Sequence, residues 1–133
     1  MKYMLDTDIC IYLMKKKPQE VLDRMRQIDP DDICVSSVTY AELACGVEKS
    51  AAVERNRIAL ILMLANIKIM PFNDHAAFEY GIVRSGLESK GQPIGPLDMM
   101  IAAHARALDL TLVTNNTREF SRVEGLKIDN WVN

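Results

Sequence analysis

The chain has 133 residues, the length of one ordinary domain with its own core. Apolar residues make up 49% and charged residues 26%, a balance that excludes a disordered or fibrous protein. The net charge of -2 excludes a globally basic surface, so nucleic-acid binding must depend on local Lys and Arg patches or on a second subunit. We expect residues 1–133 to form a single domain.

The cysteines and the apolar segments argue against secretion and against a membrane location. Cys10, Cys34 and Cys45 lie in apolar stretches without a CxxC pair, which is typical of buried, reduced thiols. The first apolar run is too short for a signal peptide and acids interrupt it. The longest run, residues 58–65, is far below the ~20 residues that span a bilayer. We therefore expect a cytoplasmic protein without a membrane contact.

The first half of the chain predicts two short strands, each followed by helices. Residues 2–5 form a buried strand that stops at acids, and Thr7 or Asp8 caps the helix that follows. Three lysines close that helix, and Pro18 opens the next one in its first turn. Residues 33–35 form the second strand. The helices predicted in this half cover residues 8–17, 18–28, 38–46 and 53–66.

The second half continues the alternation of strands and helices. Residues 67–70 alternate like a strand, and Asn73 caps a long helix to about residue 90. The rigid loop GQPIGP precedes a helix over residues 97–108. A strand at residues 111–113 is followed by the polar segment TNN (114–116), and Thr117 caps a short turn. Ile128 and Trp131 suggest a last edge strand or a tail. This alternation predicts an α/β fold of parallel strands joined by right-handed crossovers.

Polar residues at successive strand ends and helix starts are expected to converge. Asp6 ends the first strand, Glu42 lies early in the helix after the second, and Asp98 opens the helix after GQPIGP. Asn116 and Glu119 follow the strand TLV. In an open α/β sheet these positions share the edge where ligands bind.

Carboxylates crowded at one edge repel one another and stay ionised readily only around a cation. With no His or Cys among them, the hard ions Mg²⁺ or Mn²⁺ fit best. Such an ion activates water and offsets charge on a phosphate, so the pattern suggests metal-dependent phosphodiester hydrolysis.

Other interpretations of the same acids remain open at this point. Asp6, Asp8 and Asp98 could be helix caps, and Glu119 could form a solvated pair with a neighbouring arginine. The chain would then be a non-catalytic RNA- or protein-binding module. A phosphatase of the haloacid-dehalogenase type also carries DxD after a strand, but the chain ends too soon after Thr114 for its later motifs.

The chain resembles a PIN domain, and most closely a VapC-type toxin ribonuclease, over essentially its whole length. The resemblance implies an α/β/α sandwich around a central parallel sheet and an Mg²⁺- or Mn²⁺-dependent endoribonuclease acting on tRNA or ribosomal RNA, with tRNA our best single expectation. The motifs that carry it are MLDTDICIYL (4–13), SSVTYAELACGVEKS (36–50), GQPIGPLDMMIAAHA (91–105) and LTLVTNNTREFSRVEGLKIDNW (110–131).

The resemblance also implies roles for individual residues. Asp6 and Asp98 match the principal metal ligands, and Glu42 matches the third acid, which holds the metal or orients the attacking water. Asn116 stands where many PIN domains have a fourth acid, and Glu119 lies three residues further on. The residues that match polar positions lining the site are Thr7 and Thr114. Two departures alter the charge there: Asp8 replaces a common Asn or Ser, and Asn116 replaces a frequent Asp.

Partners follow from the same resemblance. A VapB-type antitoxin is expected to block the acidic site. The antitoxin is also expected to carry the pair to operator DNA, which the toxin alone is not expected to bind. We also expect a homodimer of the toxin. The apolar helix at residues 53–66 is expected in the core, with one face available to a dimer or antitoxin contact.

Local cations must hold the RNA, because phosphate contacts dominate its affinity. The candidates are Lys15, Lys16, Lys17, Arg84, Arg118 and Arg122.

The two histidines are not expected to act in catalysis. His104 shares a helix face with apolar residues, which favours a half-buried packing role. His75 lies in the first turn of a predicted helix without an acid of the site nearby in sequence.

Overall fold

Five parallel strands form one sheet in the order β3-β2-β1-β4-β5 in a computed structural model that describes residues 1–133. The chain starts in the middle, builds outward through β2 and β3, and then returns to the other side of β1. The strands are β1 (Tyr3–Leu5), β2 (Ile33–Ser36), β3 (Lys68–Met70), β4 (Thr111–Val113) and β5 (Lys127–Asp129).

Seven helices and a 3₁₀ turn at Pro30–Asp32 connect the strands. The predicted edge strand near Ile128 is confirmed as β5. The helices are α1 (Thr7–Lys15), α2 (Gln19–Arg26), α3 (Ser37–Glu48), α4 (Val53–Leu64), α5 (Asp74–Ser89), α6 (Pro96–Ala107) and α7 (Thr117–Phe120).

Alternate residues of each strand enter two separate apolar cores, one on each face of the sheet. Met4 and Leu112 face the core beneath α5 and α6, whereas their neighbours Leu5 and Val113 face the core beneath α1, α3 and α4. Because both faces are covered, the central strands β1, β2 and β4 are mostly apolar rather than alternating with polar residues, whereas the edge strands β3 and β5 carry charged residues. The predicted α/β/α sandwich is therefore confirmed.

Three predicted caps differ from the structure by one or two residues. Asp6, not Thr7 or Asp8, is the N-cap of α1, since its carboxylate accepts the Thr7 N–H at 2.8 Å. Pro18 precedes α2 as its N-cap residue instead of lying in the first turn. Thr117 is the first residue of α7, after Asn116. Ser36 and Asn73 do cap α3 and α5 through their side chains.

One burial prediction holds in part and another is wrong. In α4 only Leu60 is fully buried, while Ile58, Ile61 and Leu62 are exposed, Leu62 to 69%. The reason is geometric: the helix packs on one face of the sheet, so an all-round apolar sequence leaves a second face uncovered. Cys10 and Cys34 are buried as expected, but Cys45 on α3 is exposed. No helix has the length and apolar character needed to cross a membrane.

Candidate active site

The candidate site lies where the sheet order reverses, at the carboxyl ends of β1 and β4. These two strands are neighbours, although most of the chain separates them in sequence. Loops that leave neighbouring strands toward opposite sides open a crevice, which is the usual ligand position in such sheets. Asp6 follows β1 and Thr114 follows β4, so each lies at the rim of this crevice.

Asp6 is the buried centre of the site, with an exposed fraction of 4%. Its backbone N–H continues the sheet by donating to the Val113 carbonyl at 2.9 Å. One carboxylate oxygen accepts the Thr7 N–H, and the other accepts the Thr114 hydroxyl at 2.8 Å. Burial, and next the charge of Asp8, raise the pKa of Asp6 to about 7 despite these two donors.

Glu42 reaches the site from the second turn of α3. Thr7 at the start of α1 donates its hydroxyl to Glu42 Oε1 at 2.8 Å, and the buried Thr39 hydroxyl lies 3.5 Å from that of Thr7. No protein group donates to Glu42 Oε2, so one oxygen of this half-buried carboxylate remains available to a ligand. Thr7, predicted to line the site, thus orients an acid.

Asp98 lies in the first turn of α6 and is half-buried. Burial raises its pKa to about 6, and the charges of Glu42, Glu119 and Asp8 act in the same direction. Asp98 therefore lies close enough to these acids for their charges to affect its ionisation.

Asn116 and Glu119 form the side of the site that follows β4. The Asn116 side-chain amide donates to Glu119 Oε2 at 3.1 Å, and its backbone N–H donates to the Thr114 hydroxyl at 2.9 Å. No protein donor engages Asn116 Oδ1. Glu119 is consequently not a solvated partner of an arginine but a member of the acidic cluster.

Asp8 is oriented differently from the other acids. Its carboxylate accepts the Ile9 N–H at 2.7 Å and the Asn115 N–H at 3.0 Å. Burial raises its pKa, while these backbone donors oppose the shift. The contact with Asn115 was missed from the sequence; the polar pair Asn115–Asn116 directly after a strand was the available signal.

The donor set fits a hard divalent cation. Asp6, Glu42, Asp98, Glu119 and the amide oxygen of Asn116 offer only oxygen, the ligand that Mg²⁺ and Mn²⁺ prefer. Burial, and after it the charges of neighbouring acids, raise the pKa values of Asp6 and Asp98, and a bound cation would favour the ionised form of both. No three acidic, His or Cys side chains enclose one ion position as they stand.

The predicted RNA-binding cations separate into two groups. Lys15 lines a cavity of about 310 Å³ together with Thr7 and Glu42, so it borders the acids. Arg118 is exposed on α7, one residue before Glu119, and forms no ion pair. Lys16 and Lys17 are exposed beyond the end of α1.

The other two candidate cations are engaged elsewhere. Arg84 pairs with Glu88 at 3.3 Å and donates to the Tyr80 hydroxyl at 2.7 Å. Arg122 donates to the Pro93 carbonyl at 3.3 Å.

The histidines lie outside the acidic cluster. His104 is fully buried rather than half-buried as predicted, and its Nδ1 lies 2.8 Å from the Ser36 hydroxyl. The Ser36 hydroxyl also accepts the Val38 N–H. Burial lowers the pKa of His104. His75 is exposed, 4.0 Å from Glu79.

Comparison with known proteins identifies the same architecture. The family model described as "PIN domain" matches residues 3–126. The chain is 44% identical over 131 residues to a tRNA(fMet)-specific endonuclease VapC of Shigella flexneri, covering 98% of each protein. It is 45% identical over 132 residues to a ribonuclease VapC2 of Haemophilus influenzae, covering 99% of each.

Solved structures agree with these relatives. A DNA-bound VapBC complex of Salmonella typhimurium contains a chain with a TM-score of 0.94 and 40% identity, with 99% of each chain covered. VapBC2 of Rickettsia felis, bound to a promoter DNA fragment, gives a TM-score of 0.93 at 40% identity, with 99% of this chain and 100% of that chain covered.

Proposed function

Because the chain belongs to the PIN-domain family, and within it to the VapC ribonucleases, we propose that it is the toxin of a type II toxin–antitoxin pair. It is an endoribonuclease that hydrolyses RNA phosphodiester bonds, and a VapB antitoxin neutralises it. The observation that carries the chemistry is the buried Asp6 at the switch point, which accepts the Thr114 hydroxyl. The charge of Asp98 acts on Asp6, and the charge of Glu42 acts on Asp98. We assign residues 1–133 to one PIN domain.

Asp6 and Asp98 are the proposed holders of Mg²⁺ or Mn²⁺, with Glu42 beside them. A divalent ion there supplies Lewis-acid stabilisation of the charge on the phosphate under attack. Asn116, through its free amide oxygen, and Glu119 complete the donor set on the other side.

This chain's own residues prepare the acids for that task. Thr114 favours the charged form of Asp6 by donating to it, and Thr7 fixes Glu42 with one oxygen unpaired. That oxygen is placed to orient the attacking water and to accept its proton. In-line attack leaves a 5′-phosphate and a 3′-hydroxyl.

The substrate we propose is tRNA, because the Shigella flexneri relative is a tRNA(fMet)-specific endonuclease. Since phosphate contacts dominate RNA affinity, the unpaired cations around the site are the expected contacts. Lys15 borders Glu42 on one side, Arg118 borders Glu119 on the other, and Lys16 lies at the end of α1.

The partner we propose is a VapB-type antitoxin that covers the exposed face of α4. A groove of about 490 Å³ lies between α1, α2 and α4, and Ile58 and Leu62 line it. An apolar helix laid into this groove would bury both side chains. We also propose that the toxin forms a homodimer and acts in the cytoplasm. Operator DNA binding is proposed to occur through the antitoxin alone, because the DNA-bound relatives are VapBC complexes.

The deciding experiment incubates the purified, antitoxin-free chain with total tRNA and Mn²⁺ or Mg²⁺ and maps the new 5′ ends. We expect cuts at one position in one tRNA, which disappear with EDTA and in Asp6→Asn. If the wild type binds metal but cleaves no RNA, the nuclease assignment fails and the binding-module alternative stands.

A further inference from the structure

We propose that Asp8 is a positioning residue, which fastens the loop after β4 to α1 and so holds Asn116 and Glu119 at the site. The inference rests on the proposed nuclease function for its catalytic consequence. The contact on which it depends, between the Asp8 carboxylate and the Asn115 N–H, is a property of the fold alone.

Both oxygens of Asp8 are occupied by backbone donors. Oδ1 accepts the Ile9 N–H at 2.7 Å, and Oδ2 accepts the Asn115 N–H at 3.0 Å. The Thr114 hydroxyl is 3.5 Å from Asp8 but 2.8 Å from Asp6, and with one proton to give it serves Asp6. Asp8 therefore differs from Glu42, which keeps one oxygen free of protein donors.

Asn115 is held a second time by the same face of α1. Tyr12 lies one helical turn after Asp8, and its hydroxyl accepts from the Asn115 side-chain amide at 3.2 Å. On the opposite side, Asn130 donates to Asn115 Oδ1 at 3.2 Å. An exposed loop residue thus has its backbone N–H and both side-chain polar atoms engaged.

The neighbours of Asn115 explain why its position matters. Thr114 and Asn116 flank it, the first bound to Asp6 and the second to Glu119. Planar peptide bonds join the three residues, so displacement of Asn115 turns both neighbours. A shift of about 1 Å in a group that positions a reaction is enough to lower its rate greatly.

The test compares two substitutions at the same position. Asp8→Ala removes the acceptor, whereas Asp8→Asn keeps one side-chain oxygen for the Asn115 N–H but removes the charge. We expect Asp8→Ala to lower kcat about 10–100-fold with little change in KM, the usual effect of losing a group that orients the primary site. Asp8→Asn should retain most of kcat.

Asp29→Ala is the matched control. Its carboxylate also accepts a backbone N–H, that of Asp31 at 3.0 Å, but it lies before β2, at the end of the sheet away from the site. It should leave kcat unchanged. Equal losses of kcat in Asp8→Asn and Asp8→Ala, with the Asn115 N–H still protected from exchange in both, would make the charge of Asp8 the active feature and overturn the proposal. Full activity of Asp8→Ala would also overturn it.

Backbone amide exchange of Asn115 and Asn116, followed by NMR, separates this proposal from the nuclease assignment. Exchange should accelerate in Asp8→Ala and stay slow in Asp8→Asn and Asp29→Ala, whether or not the wild type cleaves RNA. Unchanged exchange in Asp8→Ala would show that Asp8 does not hold the loop.

Discussion

The Thr114 hydroxyl donates to Asp6 Oδ2 at 2.8 Å across 108 residues of sequence, and it accepts the Asn116 N–H at 2.9 Å. One small side chain therefore links the buried acid after β1 to the loop after β4. Since the hydroxyl favours the ionised form of Asp6, it opposes the burial that raises the pKa of this carboxyl.

Thr114→Val should lower RNA cleavage and move the acidic limb of the pH–rate profile to higher pH. Without the donor, Asp6 ionises less readily. We expect a loss of about 10–100-fold in kcat/KM at pH 7, as for other partners that orient primary ligands. Thr114→Ser, which keeps the hydroxyl, is the control and should restore the profile. An unshifted acidic limb in Thr114→Val would contradict this role.

Thr7→Val should lower kcat through Glu42. The substitution removes the hydroxyl that holds Glu42 Oε1, so the free oxygen loses its fixed direction. The measurement is a double-mutant cycle on tRNA cleavage with Glu42→Gln. If Thr7 acts through Glu42, it should have little further effect once Glu42 is replaced. Fully additive losses would place the action of Thr7 elsewhere.

The metal-free protein should lose stability as the pH rises from about 4 to 7. Folded Asp6 keeps its proton up to about pH 7, whereas an unfolded Asp loses it near 3.8, so the folded state binds more protons in this window. The expected loss is on the order of 2–4 kcal/mol.

Denaturant unfolding in EDTA measures this loss, with Asp6→Asn as the reference because its amide does not titrate. The variant should gain stability relative to the wild type across the window, and Mn²⁺ at pH 8 should stabilise the wild type selectively. Parallel pH curves for the two proteins would refute the assignment of the titration to Asp6.

His104 should produce a pH effect of the opposite sign. Burial lowers its pKa in the folded state, so below about 6.5 the unfolded chain takes up a proton that the folded chain does not. The stability that neutral His104 contributes is present above that pH and is lost as the pH falls. Relative to His104→Gln, the wild type should therefore weaken between pH 7.5 and 5.5. A constant difference between the two proteins would disprove the effect.

Leu62→Glu should leave RNA cleavage intact but weaken the binding of the VapB antitoxin. Leu62 is exposed on α4 and does not line the cavity beside Thr7 and Glu42, so tRNA cleavage by the free protein should be unchanged. A charge in the proposed groove should weaken VapB binding at least about tenfold, since a few buried apolar anchors dominate such interfaces. Titration calorimetry with the antitoxin measures it. Leu62→Met, which stays apolar, should bind VapB normally. Normal VapB binding by Leu62→Glu would exclude the exposed face of α4 as the antitoxin contact.

The strand–helix order was predictable, and Asp6, Glu42 and Asp98 could be selected as candidates, because each feature is local. Asp6 ends a short apolar run, and Glu42 is an acid in an otherwise uncharged helix segment. Membership of the PIN family also decides between the alternatives, since the DxD phosphatase interpretation required motifs that this chain does not contain.

Pairings across the fold were not predictable from one sequence. Nothing in the local pattern shows that Asn115 meets Asp8, or that Ser36 meets His104, because these pairs depend on which strands become neighbours. The sequence left one face of the apolar helix α4 available to a partner, but it did not show that Ile61 and Leu62 lie on that face. An apolar pattern does not distinguish residues that avoid water in the core from residues that avoid it against a partner.

The position of β1 next to β4 in the sheet also determines when the acidic site can assemble during synthesis. Asp6, Glu42 and Asp98 are all translated before β4, yet the strand that supplies Thr114 is made only from residue 111 onward. A nascent chain that has not yet released β4 from the ribosome holds its acids without the neighbour that organises Asp6. The order of the strands thus delays assembly of the site until β4 has been translated.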